Sequence, residues 1–362
     1  MAIETKHSVF FQASQKMAIL GNETIDLVVT SPPYPMIEMW DEIMSKQNEN
    51  IKRALKENKG NYAFEEMHKE LDIIWGECFR VLKEGGFLCI NIGDATRSIN
   101  GDFELYNNHS RIISSCLKLG FKNLPNIIWR KQTNAPNKFM GSGMLPCGAY
   151  VTLEHEWILI FRKGEKRKYP KEEEKKVRRE SSFFWEERNI WFSDIWEIKG
   201  TKQKIVNGDS RERSASYPLS IPYRLINMYS QKGDTILDPF LGLGTTSIAA
   251  MVAERNSVGI EIDPLLKSTI QTVFKTINVQ AVNNIIKDRF NRHIEFIENR
   301  IKSGKEVKYE NKTVSCKVMT KQETDLTLRF ISKIQENSQT PLEYTCTYLD
   351  ETNMHSSSLY LF

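Results

Sequence analysis

Two short strings in this 362-residue chain carry side chains that could do chemistry together, although more than two hundred positions separate them. Thr30-Ser31-Pro32-Pro33-Tyr34 closes the apolar run Ile25-Asp26-Leu27-Val28-Val29. Consecutive prolines fix φ and carry no N–H, so the carbonyls around them lack a neighbouring donor. Those carbonyls and the Ser31 hydroxyl are acceptors suited to an amine on a flat ring, and Tyr34 offers that ring a stacking face. Such an amine shares its lone pair with the ring and is a weak nucleophile. Acceptors that draw on both of its protons favour a pyramidal nitrogen, whose freed lone pair can attack an electrophilic carbon in line. No covalent enzyme intermediate is needed.

The second string, Asp238-Pro239-Phe240-Leu241-Gly242-Leu243-Gly244-Thr245-Thr246, follows the strand-like Thr235-Ile236-Leu237 and leads into a helix. Glycines let the backbone take positive φ and come close to a ligand, and a helix start favours an anionic group. Glu261 ends the next strand 23 positions after Asp238, the spacing at which nucleotide folds set a carboxylate on ribose hydroxyls. The dinucleotide fingerprint wants a third glycine where this chain has Ser247, so a nicotinamide-dependent oxidoreductase is disfavoured. The turn suits a nucleoside-type ligand, with an anionic group favoured at the helix start and a cationic one near Asp238. A non-catalytic DNA-binding module would not require Glu261 at its spacing.

With the tyrosine string before the glycine string, the pair resembles the S-adenosylmethionine-dependent amino-methyltransferases of DNA, in the circularly permuted order of their beta group. Leu82-Lys83-Glu84-Gly85-Gly86 is similar to the family's helix-to-strand junction, and Asn91-Ile92-Gly93-Asp94 to the loop that follows. Trp129 to Phe161, ending in His155-Glu156-Trp157, is similar to its terminal antiparallel strand pair. Tyr217-Pro218-Leu219 resembles the segment that packs over the methionine end of the cofactor. The resemblance spans roughly Val9 to Pro264. It implies S-adenosyl-L-methionine as cofactor, held by Asp238, Pro239, Phe240, Gly242, Gly244, Thr245, Thr246 and Glu261. It implies Ser31, Pro32, Pro33 and Tyr34 as the catalytic set, and a target base flipped out of double-stranded DNA. Relatives acting on adenine N6 mostly carry Asp or Asn at the position of Ser31, whereas serine there marks those acting on cytosine N4. Cytosine N4 is therefore expected, with adenine N6 as the alternative, and a cognate restriction endonuclease as a partner on the same DNA site. Two departures stand out. Gln12-Ala13-Ser14 replaces a common Gly-Asp-Ser, and Ser214-Ala215-Ser216 lacks a common histidine.

Strands and helices alternate along most of the chain, which implies an α/β, doubly wound, mostly parallel sheet with an antiparallel terminal strand pair, like class I methyltransferases. Four segments are expected: 1–162 as the base-binding half of the catalytic domain, 163–215 as a target-recognition insert, 216–270 as the cofactor-binding half, and 271–362 as a helical extension. Within the extension Val314, Cys316 and Val318 alternate like a strand, and Leu326–Ile334 reads as a helix. The insert mixes Lys/Arg and Glu runs with Phe183, Phe184, Trp185, Trp191, Phe192 and Trp196, the aromatics being expected as its local core. Net charge is only +4, so contact with DNA must come from local features. Lys131 and Lys138 in loop 131–148, and Arg211 and Arg213 in the insert, are the candidates.

Six scattered cysteines include no CxxC pair, so neither a metal site nor a disulfide framework is expected. Cys78 and Cys89 read as core residues, and the Pro146-Cys147 pair as a chance neighbour of a C5-methylation motif. No stretch reaches the ~20 apolar residues of a bilayer span, and the N-terminus lacks a signal-type apolar core. A cytoplasmic enzyme without a membrane partner is expected.

Overall fold

Every residue of Ile25–Thr30 is buried, as befits a strand covered on both faces of a sheet. The computed structural model describes residues 3–131, 140–200 and 217–349. Among them, one central sheet has eleven strands. Ten form its path: β1 Ile3–Phe11, β2 Ile25–Thr30, β3 Leu82–Ile92, β4 Ile127–Arg130, β5 His155–Lys163, β6 Ile195–Glu197, β7 Thr235–Asp238, β8 Asn256–Glu261, β9 Ile331–Gln339 and β10 Leu342–Tyr348. Phe121–Asn123 pairs with β5 at the side.

The spatial order is β6-β4-β5-β3-β2-β7-β8-β1-β10-β9. The middle five strands run parallel. On one flank β5 pairs antiparallel with both β3 and β4, which is the expected antiparallel pair. Helices cover both faces, and alternate strand residues divide between them. Val28, Leu88, Ile90 and Leu237 pack with helix α1, Gly60–Val81. Leu27, Val29, Cys89 and Ile236 pack on the other face with α3 Ser220–Tyr229, α4 Thr245–Val252 and α5 Val279–Lys302. Cys78 and Cys89 are fully buried core residues. No helix of the described residues is long and apolar enough to cross a membrane.

The expected helix over Leu326–Ile334 is wrong. From Ile331 the chain is β9, which pairs antiparallel with β10, and β10 pairs antiparallel with β1. Ladder bonds to an already anchored strand outweigh local propensity. Residues after 271 are therefore α-helical only as far as Lys302; a small hairpin and a 3-10 turn at Lys321–Glu323 follow before the chain returns to the central sheet.

The aromatic run of the insert does more than form a local core. It packs into the same cluster as Leu27 and Ile236 through Phe184 and Trp196, and β6 extends the sheet beside β4. Helix α2, Trp185–Trp191, is stapled to α5. Glu187 accepts from Arg289 at 2.6 and 2.8 Å, and Phe184 stacks on His293 at 3.7 Å. Both members of the Arg289–Glu187 pair are buried. Removing one partner leaves an uncompensated interior charge. Glu187→Ala is expected to lower unfolding stability by about 3–5 kcal/mol, measured by urea denaturation; a loss below about 1 kcal/mol would mean the pair does not hold the insert.

Candidate active site

Strands β2 and β7 lie side by side in parallel, with Leu27 opposite Ile236 and Val28 opposite Leu237. That register brings their C-terminal ends, Thr30 and Asp238, together. Thr30 Oγ1 donates to Asp238 Oδ1 at 2.6 Å across 208 positions of sequence. The two strings recognised in the sequence therefore open onto one edge of the sheet, the edge where α/β folds bind ligands.

On the cofactor side, Gly244 sits at φ +87° as the N-cap of α4. A Cβ there would lie 2.6 Å from the Phe274 ring, so only glycine fits. Gly242 also has positive φ, +55°, but a Cβ there would meet nothing within 4 Å. One glycine is required by packing and the other keeps space open. Glu261, at the end of β8, accepts from the N–H groups of Gly242 and Asp263, both at 2.9 Å. Ser14 Oγ donates to the Pro239 carbonyl at 2.6 Å, so the departing Gln12-Ala13-Ser14 segment still braces this turn.

Asp238 is buried, which pushes its carboxyl pKa upward, while hydrogen bonds from Thr246 and Thr30 act in the opposite direction. Oδ1 also accepts from the Phe240 N–H at 3.1 Å, and Oδ2 accepts from Thr246 Oγ1 at 2.5 Å. The Tyr217 hydroxyl lies 2.5 Å from Thr246 Oγ1 and is also hydrogen-bonded to Asp238. Three segments thus converge on one carboxylate. The role of Thr30 as the clasp was not foreseen from sequence.

On the other side of the same strand end, Ser31 Oγ lies 3.1 Å from the Tyr34 hydroxyl. Tyr34 donates to Glu156 Oε2 at 2.8 Å and accepts from Asn91 Nδ2 at 2.7 Å. Burial and the Glu156 charge raise the Tyr34 pKa well above that of an ordinary phenol, so it stays protonated. Lys131 Nζ is hydrogen-bonded to the other Glu156 oxygen. Tyr34 also packs edge-on to Gly93, where a Cβ would lie 3.0 Å from its ring. Glu156 and Asn91 were missed as site residues. The available signal was a charged side chain inside the apolar strand Glu156-Trp157-Ile158-Leu159-Ile160-Phe161, where it must find partners.

Of the candidate DNA contacts, Lys131 lies on Glu156 and over the Trp129 ring, 4.6 Å from its centroid. Lys138, Arg211 and Arg213 lie outside the described residues. Cys147 is exposed. The charged start of the insert is at the opposite end of the sheet, where Arg167 pairs with Asp234 at 2.7 Å and approaches Asp26 at 3.5 Å. A cavity of about 1270 Å³ lies at that end, lined by Asp26, Lys83, Arg167 and Gln231 among others. Its volume does not make it the site, because neither string reaches it.

A doubly wound sheet with an antiparallel flank and both motif-bearing turns on one edge is the architecture of class I methyltransferases. The chain belongs to the N6/N4 DNA methylase family, whose model matches residues 25–272. It is 50% identical over 340 residues to the type II methyltransferase M.MthZI of Methanothermobacter thermautotrophicus, covering 92% of this chain and 94% of that one. The type II methyltransferase M.MjaI of Methanocaldococcus jannaschii is 50% identical over 281 residues, 74% of this chain and 91% of that one. Among solved structures, the Thermus thermophilus protein TTHA0409 in complex with S-adenosyl-L-methionine matches with a TM-score of 0.56 at 31% identity, over 74% of this chain and 93% of that one.

S-adenosyl-L-methionine is accordingly the methyl donor, and the donor set at the glycine turn fits it. The space over Gly242, the helix start at Gly244 and the carboxylate of Glu261 match a small nucleoside with a charged amino-acid end. Two alanine variants separate packing from ligand space. Gly242→Ala is expected to cost the fold only the left-handed strain of about 1–2 kcal/mol, yet to weaken cofactor binding by about tenfold or more, or about 1.4 kcal/mol. Gly244→Ala must also displace Phe274 and is expected to lower the melting temperature further. Titration calorimetry and thermal melts read the two effects, and undiminished cofactor affinity in Gly242→Ala would remove that residue from the binding turn.

Proposed function

We propose that this DNA methyltransferase transfers the methyl group to the exocyclic N4 of cytosine within a specific double-stranded sequence, as the protective half of a type II restriction–modification pair. The observation that carries the reading is Ser31. It stands where a carboxylate or amide marks most adenine-modifying relatives, and its hydroxyl is held by Tyr34 beside the open end of β2. The type II names of M.MthZI and M.MjaI support the pairing with an endonuclease acting on the same site.

In this reading the target cytosine leaves the duplex and stacks on Tyr34. Ser31 and the carbonyls of Pro32 and Pro33 accept from its amine and turn the nitrogen lone pair outward. Bound S-adenosyl-L-methionine supplies an electrophilic sulfonium methyl. Gly242, Gly244 and Thr245 would face its carboxylate, Asp238 its ammonium, Glu261 its ribose hydroxyls, and Pro239, Phe240 and Thr246 would shape the same turn. Residues 1–162 and 216–270 serve as the base-binding and cofactor-binding halves, and 271–362 as an extension. The insert 163–215 and loop 131–148 are assigned to target recognition, with Lys138, Arg211 and Arg213 meeting phosphates or guanine edges, while Lys131, the fourth candidate, is held on Glu156.

Mass spectrometry of nucleosides from DNA treated with the enzyme and its cofactor is expected to show N4-methylcytosine; N6-methyladenine instead would reassign the base. Ser31→Ala is expected to cut turnover about a hundredfold or more while cofactor affinity stays unchanged. Equal loss of both would contradict the role given to Ser31.

A further inference from the structure

Methylating an exocyclic amine leaves a proton to be removed, and the structure contains an aligned path for it. Tyr34 has one hydroxyl proton and gives it to Glu156 Oε2 at 2.8 Å. Asn91 can only donate to that carboxylate, and its Nδ2 does so at 2.6 Å while also donating to the Tyr34 oxygen at 2.7 Å. With its own proton committed, Tyr34 can only accept from Ser31, 3.1 Å away. Ser31 therefore points its proton at Tyr34 and its lone pairs elsewhere. Every hydrogen in the row is directed toward the carboxylate.

We propose that Glu156 is the terminal acceptor of a proton path that runs from the target amine through Ser31 and Tyr34. This rests on residues 31–34 being the base site, and it holds whether the base is cytosine or adenine. Atoms and electrons balance. The nitrogen lone pair forms the N–C bond while the C–S bond breaks and its electrons stay on sulfur. As the N–C bond forms, an N–H bond breaks, its electrons return to nitrogen, and the proton passes to Ser31 Oγ. The Ser31 proton moves to the Tyr34 oxygen and the Tyr34 proton moves to Glu156 Oε2. Both hydroxyls are restored, Glu156 becomes a neutral acid, and it returns the proton to solvent.

The surroundings suit this task. Tyr34 resists ionisation because it is buried beside Glu156, so it hands on a proton only as it receives one. Lys131 holds the second Glu156 oxygen and is itself about one-third exposed, 34%, which opens this end toward water. Other titratable groups nearby include Tyr217, whose charge would act on Tyr34, His155 against the Trp157 ring, and Asp94 and His109, paired at 2.7 Å and joined to Trp157 by an indole hydrogen bond at 3.3 Å. Glu156 touches no reacting atom in this scheme. It acts through Tyr34.

Single-turnover methylation of target DNA by the full-length enzyme, run with saturating cofactor in H2O and D2O, tests the path. Wild type is expected to be slower in D2O. Glu156→Gln keeps the shape but cannot take a proton, and is expected to lose about a hundredfold in rate along with the isotope effect, while cofactor and DNA affinities hold. Tyr34→Phe keeps the stacking face, removes the middle hydroxyl and is expected to match it. The double variant is expected to be no slower than either single one, because both cut a single unit. Wild-type rate and isotope effect in Glu156→Gln or Tyr34→Phe, with Ser31→Ala still inactive, would overturn the path and leave the base site standing. Full activity in Ser31→Ala would overturn the base site and the path with it.

Discussion

Everything at this site depends on β2 pairing in parallel with β7. The two strands come from distant parts of the chain, and their side-by-side register is what makes two local motifs into one crevice. The Thr30–Asp238 hydrogen bond locks the register at the functional end. A hydrogen bond to a carboxylate is worth about 1.5–3 kcal/mol, and this one is buried, where leaving either partner unmet costs more. A slip of one residue would turn Thr30 and Ser31 to opposite faces and dismantle both halves together.

Thr30 and Ser31 divide the labour because successive strand residues point to opposite sides. Thr30 reaches Asp238, around which Thr246, Tyr217 and the Phe240 amide gather. Ser31 reaches Tyr34, and through it the Glu156 cluster with Asn91 and Lys131. Two carboxylate-centred networks thus stand back to back at the tip of one strand. The Asp238 network fixes the shape of the glycine turn, and burial with full hydrogen bonding makes it rigid. The Glu156 network ends in a partly exposed lysine and keeps an outlet to solvent. Adjacent residues of one sequence motif therefore anchor two separate networks.

Much of this was legible in the sequence for a definite reason. Buried parallel strands are continuous apolar runs, and Ile25–Thr30, Phe87–Ile92 and Ile158–Phe161 announced themselves as such. The glycine turn and the Pro-Pro turn are backbone devices, and backbone devices have strict residue requirements. What escaped was long-range. Thr30, Asn91 and Glu156 take their roles from partners on other strands, and no local spacing encodes those. The β9 strand escaped for another reason. As an edge strand rich in Lys, Glu, Gln, Asn and Ser it has little apolar alternation to read, which is how edges avoid pairing with other chains. Its partner β10 does alternate, burying Leu342, Tyr344, Cys346 and Tyr348.

The charged insert shows how composition and placement differ as guides to DNA contact. Its Lys and Arg runs are dense, but Arg167 is fixed at the N-terminal ends of β2 and β7 and Arg179 is paired with Glu172 and Asp325. Those charges stand at the far end of the strands from Ser31. Strand direction gives a better guide. Strand β5 runs antiparallel to β3 and β4 antiparallel to β5, so β4 points the same way as β2, and β6 follows β4. The chain leaves β4 at Arg130 and β6 at Glu197 on the active edge, and it re-enters the described fold at Tyr217 beside Thr246. A duplex presenting a flipped base to Tyr34 would lie across this edge, so the connections that leave and return here are the ones within reach of it. Within the runs at 166–179, Arg167 instead ties the insert to the opposite end of the sheet, a structural use of charge that composition alone cannot separate from recognition.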